Sequence, residues 1–306
     1  MTYFKLIIVE LINCKTLRSF IFSDNQNITG FEDGFRYIIK LIKSNDKLRH
    51  INLAMSYLYE KYVLELREAL KGKPILTLDL SSNFIGLNGC KKIAEWLKRN
   101  RSLKVLCLQS NTQNEFKKEG CDLITNALVY HNAIQHLDVS GMIITGFGDR
   151  MGNFLAENKT LKELKIRATR MNIDDIKHIC KSVGRNETLL DFNMSENDTG
   201  SDKSIEFISS MIETNKNLKI LSLDKSGISP KNCKMLFDAI EKNCIIENYS
   251  MNENIKMKTK LFLDFFIIQK NVKILSIANP QHIKVQEDVE LIEKFFKERE
   301  DVTLKI

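Results

Sequence analysis

The chain has 306 residues, a mass of 35.4 kDa and a formal net charge of +7. Hydrophobic residues make up 43% and charged residues 28%, which excludes a disordered chain. Because it has only 3 prolines and 13 glycines, and no Ser-, Gly- or Pro-rich stretch, we predict no linker and expect residues 1–306 to form a single domain.

The chain opens with an apolar segment, YFKLIIVELIN. It resembles the helical half of a repeat unit with no strand before it, so residues 1–16 are predicted to form a helical half-repeat or cap. Glu10 interrupts the segment and no basic region precedes it, so it fits neither a signal peptide nor a membrane span. We therefore expect a cytoplasmic location.

From Leu17 onward, a pattern with apolar residues at positions 0, 3 and 5, often followed by Asn at position 8, recurs along the chain. Clear copies are ILTLDLSSN from Ile75 and LKVLCLQSN from Leu103. Ten copies begin at Leu17, Leu48, Ile75, Leu103, Ile134, Leu161, Leu189, Leu218, Ile246 and Val272. Their starts lie 26 to 31 residues apart, which predicts about ten repeats with a period close to 28.

Each unit combines a short strand pattern with a helical stretch. The alternating apolar residues, such as Leu78 and Leu80, lie on one face of a strand, and Ile93, Trp96 and Leu97 form a helical stripe that can pack on it. The helical stretches end in Asn, as in IAEWLKRN, LITNALVYHN and MGNFLAEN, and we expect this Asn to adopt the left-handed conformation that ends a helix. Residues 300–306 are predicted to form a terminal strand.

A strand and a helix in 28 residues cannot bury both apolar faces alone, so the units are expected to stack and share one core. The segments LTLDLSSNFI, LKVLCLQSN and LKILSLDKSGIS resemble leucine-rich repeats, and their length is similar to that of the ribonuclease-inhibitor-like subclass, which includes the repeats of tropomodulin and Ran GTPase-activating protein. The resemblance covers roughly residues 16–306. It implies an α/β leucine-rich-repeat solenoid, a curved horseshoe with a parallel β-sheet on the concave face and helices on the convex face.

In this family the position-8 Asn satisfies backbone groups in the turn after each strand. Five positions match the family, namely Asn25, Asn83, Asn111, Asn197 and Asn254. Five depart from it, namely Ser56, Met142, Thr169, Ser226 and Pro280. Ser and Thr can partly replace Asn, but Met142 and Pro280 cannot, so we expect their turns to deviate.

Side chains at positions 2, 4 and 6 of each unit are predicted to point into the concave face. The richest polar patch there is the predicted partner-binding site, formed by His136, Asp138, Glu163, Lys165, Arg167, Asp191 and Asn193. His136 beside Asp138 and Glu163 also fits an acid–base pair. Opposed charges on adjacent strands are ordinary sheet pairing, however, and no catalytic site is predicted.

The run KKIAEWLKRNRSLK, residues 91–104, concentrates basic side chains on one helix. It fits a patch for an anionic partner, but we favour the solvated side of an amphipathic helix whose Trp96 faces the core. Because Trp96 is the only tryptophan, the run is no stacking platform, and no nucleic-acid partner is predicted.

Catalytic and metal-binding motifs are missing from the sequence, which contains no Gly-rich phosphate loop, HExxH or GxSxG. The seven cysteines are scattered and form no CxxC, so reduced thiols, no metal and no cofactor are predicted.

We predict a scaffold or adaptor that binds a partner protein through the concave face, with a small GTPase or a cytoskeletal protein as candidate partners. The alternative is a GTPase regulator of the Ran GTPase-activating type, although the acidic tail of that family is absent from this sequence. Usage rich in Asn, Lys and Ile resembles that of AT-rich protists, where such arrays occur in cilia and the cytoskeleton. This composition suggests a cytoskeletal or ciliary location within the cytoplasm.

Overall fold

The computed structural model describes residues 2–25, 32–111, 118–129, 131–243, 245–254, 272–276, 297 and 303–305. Eleven short strands are β1 Ser19–Ile21, β2 His50–Asn52, β3 Thr77–Asp79, β4 Val105–Cys107, β5 His136–Asp138, β6 Glu163–Lys165, β7 Asp191–Asn193, β8 Ile220–Ser222, β9 Asn248–Ser250, β10 Ile274–Ser276 and β11 Thr303–Lys305. Nine helices in the described ranges are α1 Thr2–Asn13, α2 Glu32–Ser44, α3 Glu60–Ala69, α4 Gly86–Leu97, α5 Lys118–Leu128, α6 Gly148–Glu157, α7 Ile173–Arg185, α8 Asp202–Thr214 and α9 Pro230–Lys242.

The strands form one parallel sheet in which each strand pairs with the next along the chain. Equivalent positions of the repeat lie directly opposite each other, so Leu78, Leu106, Leu137 and Leu164 occupy successive strands in one row. The predicted stacking of the units is therefore confirmed.

One face of the sheet packs on the helices. In strands β2 to β9 the central residue is buried and its two neighbours are more exposed, because alternate side chains point to opposite faces. The buried residues join the apolar stripes of the helices in one core, and Ile93, Trp96 and Leu97 of α4 are all buried in it. Trp96 thus faces the core as predicted.

A left-handed residue follows each of the strands β1 to β9 at position 7. Nine residues there have φ between 48° and 71°, namely Asp24, Met55, Ser82, Ser110, Gly141, Ala168, Glu196, Lys225 and Glu253. A left-handed residue reverses the local direction of the backbone and costs a non-glycine residue about 1 kcal/mol or more. The turn thus directs the chain from the sheet edge towards the helix layer.

The expectation that the helix-closing asparagines are left-handed is wrong. Asn158, Asn186 and Asn215 have φ between −74° and −70° and ψ between 127° and 135°, which is extended backbone. The loop to the next strand starts at these residues, and an extended residue leads into it directly. Their recurring role in the repeat belongs to the side chain, since Asn158 Oδ1 accepts hydrogen bonds from the backbone N–H groups of Thr160 and Leu161.

The predicted position-8 ladder is present. Asn83 Oδ1 accepts from the N–H groups of Ser56 and Leu58 at 3.1 and 2.9 Å, and Asn83 Nδ2 donates to the carbonyls of Leu53 and Leu80 at 2.8 and 3.0 Å. Ser56 partly replaces Asn, because its hydroxyl donates to the Phe22 carbonyl at 2.7 Å.

The turn at Met142 deviates, as expected. The Met142 N–H donates to the Val139 carbonyl at 3.1 Å, while Ile144 N–H donates to the backbone carbonyl of Thr169 at 3.0 Å. In the regular turns the position-8 Asn of the next repeat accepts both bonds through its Oδ1, as Asn83 does for Ser56 and Leu58, whereas here that position is Thr169. Pro280 lies outside the described residues.

Candidate partner-binding face

The sheet surface that points away from the helices is built by positions 2, 4 and 6 of the units from Ile75 to Ile246. We call it the open face. It comprises Thr77, Asp79, Ser81, Val105, Cys107, Gln109, His136, Asp138, Ser140, Glu163, Lys165, Arg167, Asp191, Asn193, Ser195, Ile220, Ser222, Asp224, Asn248, Ser250 and Asn252. Most of these side chains are half-buried, because each is flanked by its neighbours on adjacent strands.

Three predicted site residues are brought into direct contact on β5 and β6. Glu163 Oε2 lies 2.5 Å from His136 Nδ1, and Glu163 Oε1 lies 2.6 Å from Lys165 Nζ. His136 is directly opposite Glu163 in the parallel register, so strand pairing itself places the two groups together. Both oxygens of Glu163 are thereby engaged by cationic or hydrogen-bonding neighbours.

The charged groups in this cluster shift one another's pKa values. Burial raises the pKa of Glu163, but the hydrogen bonds from Lys165 and His136 outweigh it and leave the pKa below its ordinary value. The same hydrogen bond from Lys165 to Glu163 raises the pKa of Lys165. Glu163 is therefore a carboxylate and Lys165 an ammonium at neutral pH, which is the pattern of an ion pair rather than of a poised general acid.

The other predicted residues separate into distinct roles. Asp138 Oδ1 and Asn193 Oδ1 accept from the N–H groups of Ser140 and Ser195, two residues further on, at 2.9 and 3.0 Å. Such turns fix the strand ends. Arg167 reaches the next repeat, where its Nη2 lies 2.5 Å from Glu196 Oε1.

Asp191 is the exception in this patch. Among the described residues its side chain forms no hydrogen bond or ion pair, although it lies opposite Glu163. Burial raises the pKa of Asp191, and the charge of Glu163 raises it further against the opposing effects of Lys165 and His136. A half-buried carboxylate that no cation binds directly is a favourable place for an incoming positive group.

The open face is acidic, whereas the whole chain is basic. Its carboxylates are Asp79, Asp138, Glu163, Asp191 and Asp224, and its cations are Lys165 and Arg167. The chain as a whole has a net charge of +7. The positive excess therefore lies elsewhere on the molecule.

Sequence reasoning missed Glu196, which borders the open face and pairs with Arg167 there. Glu196 is at position 7, outside the alternation that predicted the patch, and its left-handed backbone follows the strand end. Lys225 and Glu253 occupy the same position in the next two repeats, and their Nζ and Oε1 atoms are 3.0 Å apart. The spacing of 29 residues between Arg167 and Glu196, one more than the typical period, is the signal that could have identified the pair.

The described part of the chain contains no group of three or more His, Cys, Asp or Glu side chains placed to hold a metal ion. Within the same residues, none of the helices has the length and hydrophobicity needed to cross a membrane. Cys107 lies on the open face, where burial and the nearby Asp79 and Asp138 raise its pKa to about 12. A thiol with so high a pKa is a poor nucleophile at neutral pH.

Sequence identity to known proteins is low, but the matched regions are long. No protein-family model matches the sequence. The chain is 27% identical over 152 residues to human NACHT, LRR and PYD domains-containing protein 13, covering 48% of this chain and 14% of that protein. It is 23% identical over 282 residues to Protein CARMIL of Dictyostelium discoideum, covering 90% of this chain and 24% of that protein.

The chain thus spans about a quarter or less of the length of these relatives. Among solved structures, the leucine-rich repeat-containing protein LegL7 from Legionella pneumophila has a TM-score of 0.58 at 15% identity, with 94% of this chain and 93% of that chain covered. Together with the recurring strand-and-helix units and the position-8 ladder, these similarities identify the chain as a leucine-rich repeat protein.

Proposed function

We propose that this chain is a binding module that holds a basic segment of a partner protein on its open face and performs no catalysis. The observation on which the proposal depends is the excess of carboxylates on this face of a basic chain. A partner segment with Lys or Arg side chains would find opposite charge along several strands. Such complementarity accelerates association and selects against acidic partners.

The contacts within the patch define where the partner's cations would bind. Glu163 is already paired with Lys165 and His136, and Arg167 is paired with Glu196. Asp191 is unpaired within the described residues, so it is the carboxylate that gains most from a new ion pair. We therefore propose Asp191 as the central contact, with His136, Asp138, Glu163, Lys165, Arg167 and Asn193 around it.

A rigid sheet favours this function. Each side chain of the open face is held by strands that are paired on both sides from β3 to β9, so little ordering entropy is lost when a partner binds. The proposal includes the cytoplasmic location expected in the sequence analysis.

Affinity capture with matched variants tests the proposal. The full chain would be used to capture partners from a lysate of its source, alongside D191K/E163K and the control D174K/E157K. The control makes the same change in charge at exposed carboxylates on the helix side. We expect stoichiometric partners of the unmodified chain to be lost with D191K/E163K and retained with the control.

Two results would contradict the open-face proposal. One is retention of every stoichiometric partner by D191K/E163K, which would place the interface elsewhere. The other is equal loss with both variants, which would mean that net charge alone governs binding. Circular dichroism of both variants establishes that they remain folded.

A further inference from the structure

A basic pocket lies at the end of helices α3 and α4, on the edge of the solenoid where helices lead into strands. It has a volume of about 410 Å³, a size typical of small-ligand sites. The pocket is lined by Arg67, Lys71, Gly72, Lys73, Pro74, Glu95, Trp96, Arg99, Asn100, Arg101 and Ser102. Five of these residues are basic and one is acidic.

The carboxylates near the pocket are already neutralised. Glu95 is bound by Lys92 at 3.0 and 3.1 Å, and this hydrogen bond lowers the pKa of Glu95. Asp46 is bound by Lys73 at 2.7 Å, which lowers the pKa of Asp46. Neither carboxylate therefore has spare negative charge to neutralise the remaining cations.

Three cations of the pocket have no carboxylate partner in the described part of the chain. Lys71 and Arg99 are exposed and make no side-chain hydrogen bond there, and Arg101 donates only to the Asn100 carbonyl at 3.0 Å. Guanidinium and ammonium groups gathered around one cavity are the groups that bind phosphate oxygens in proteins.

The C-terminal end of a helix carries partial negative charge, which would oppose an anion. At α3 this effect is reduced, because the Leu70 carbonyl accepts from Trp96 Nε1 at 3.3 Å and from the Lys73 N–H at 3.1 Å. These bonds occupy a carbonyl that would otherwise face the pocket unpaired. The basic side chains thus dominate the local field.

The pocket lies within a longer basic edge. The three loops that connect helices to strands here, residues 43–49, 71–76 and 98–104, contain nine basic residues and one acidic residue. The corresponding loops of the following repeats, residues 157–162, 185–190, 214–219 and 242–247, contain six basic and three acidic residues, a smaller excess spread over more loops. The concentration is therefore local and coincides with the cavity.

We propose that the pocket at the ends of α3 and α4 binds a compact polyphosphate group, held by Lys71, Arg99 and Arg101. The same chemistry is presented by a free polyphosphate-bearing molecule and by a phosphorylated lipid headgroup. This site lies at the loops between helices and strands and shares no residue with the open face, so it does not depend on the proposed protein-binding function.

Trp96 provides a direct readout. It is the only tryptophan of the chain, it lines the pocket and it is 5% exposed, so its fluorescence reports on this site alone. The full chain would be titrated with sodium tripolyphosphate. The pocket variant R99Q/R101Q would be compared with K91Q/K98Q, which removes two exposed charges from the same repeat outside the pocket.

We expect a saturable change of Trp96 fluorescence, with affinity weakened about tenfold or more in R99Q/R101Q because two charge-assisted hydrogen bonds are lost. The control should change the affinity less than about threefold, since exposed charges act weakly at a distance. The absence of a saturable response up to about 1 mM tripolyphosphate, an affinity too weak for a specific site, would overturn the proposal. Equal weakening in both variants would overturn it too.

Vesicles distinguish the two sources of phosphate. Co-sedimentation would compare phosphatidylcholine vesicles containing phosphatidylinositol 4,5-bisphosphate with vesicles of equal charge containing phosphatidylserine. Selective binding of the former, lost in R99Q/R101Q, would identify a lipid headgroup as the source. A tripolyphosphate response without vesicle binding would identify a soluble ligand, whereas equal binding to both vesicles that R99Q/R101Q leaves unchanged would contradict the pocket.

Discussion

Buried asparagines at the helix ends connect neighbouring repeats. Asn158 Oδ1 accepts from the N–H groups of Thr160 and Leu161 at 2.9 and 2.8 Å, and Asn158 Nδ2 donates to the His131 carbonyl of the preceding repeat at 3.0 Å. In the preceding repeat the sequence pattern placed the helix-closing Asn at Asn132, but that residue is exposed and does not make these contacts among the residues that the structure describes. Instead His131 makes such a contact, since its Nδ1 accepts from the Ile134 N–H at 3.2 Å.

This difference gives a prediction at the residue scale. Asn158→Ala leaves buried backbone groups unpaired, so we expect the free energy of unfolding to fall by about 2–3 kcal/mol. Asn132→Ala is the matched control, because Asn132 is exposed, and we expect a change within about 0.5 kcal/mol. Urea denaturation followed by circular dichroism measures both. Similar losses in the two variants would show that the side-chain hydrogen bonds of Asn158 are not the source of its effect.

The recurrence of Asn at the helix ends could be predicted from the sequence, but the exception at His131 and the conformation of the asparagines could not. A recurring Asn suits both a left-handed helix end and a side-chain bridge, and only backbone angles distinguish them. The left-handed turns could not be predicted from the sequence either, because position 7 holds residues as different as Met55, Ala168 and Lys225. There the fold imposes the backbone conformation on whatever residue is present.

Helices α6 and α7 are joined by one buried carboxylate. Asp175 is 2% exposed, and its Oδ1 accepts from the N–H groups of Phe147 and Gly148, both at 2.7 Å. Its Oδ2 accepts from the N–H groups of Gly146 and Asn172 at 2.8 and 2.9 Å. Asp175 therefore satisfies backbone groups at the N-termini of both helices, where a negative charge is favourable.

At the element scale, we expect Asp175→Ala to lower the free energy of unfolding by about 3–5 kcal/mol, because four N–H groups lose their acceptor and two of them, those of Phe147 and Gly148, are buried. The neighbouring Asp174 is exposed in the same first turn of α7, so Asp174→Ala should cost no more than about 1 kcal/mol. Thermal and urea unfolding compare the two. A loss at Asp175 no greater than that at Asp174 would rule out the shared cap.

Most strands and helices could be predicted from periodicity, because the pattern of each element recurs several times along the chain. The turn at Met142 deviates as predicted, but the acceptor that its N–H groups lack is the position-8 amide of the next repeat, where Thr169 replaces Asn. The role of Asp175 was not predicted. It depends on two helix N-termini approaching one another, and those lie 27 to 29 residues apart in sequence.

For the whole molecule, β1 to β11 form a single sheet with strands in chain order, and we propose that residues 1–306 are one domain. We also propose the ribonuclease-inhibitor-like subclass, because the described units contain helices of 10 to 13 residues.

The binding patch was predictable as a set of side chains on one face, since alternation within a strand decides which residues share it. Which of those charges are paired was not predictable. The pairing of Arg167 with Glu196, and the unpaired state of Asp191 among the described residues, depend on side-chain reach between neighbouring strands.

Hydroxyl-radical footprinting of the full chain, alone and in complex with the partner obtained by capture, tests the open-face account most directly. His136 lies on the open face, whereas Leu64 and Met235 are exposed on helices α3 and α9, at 42% and 36%. We predict that the partner lowers the oxidation rate of His136 and leaves those of Leu64 and Met235 unchanged. Protection of Leu64 or Met235 with His136 unaffected would contradict the open face as the binding surface.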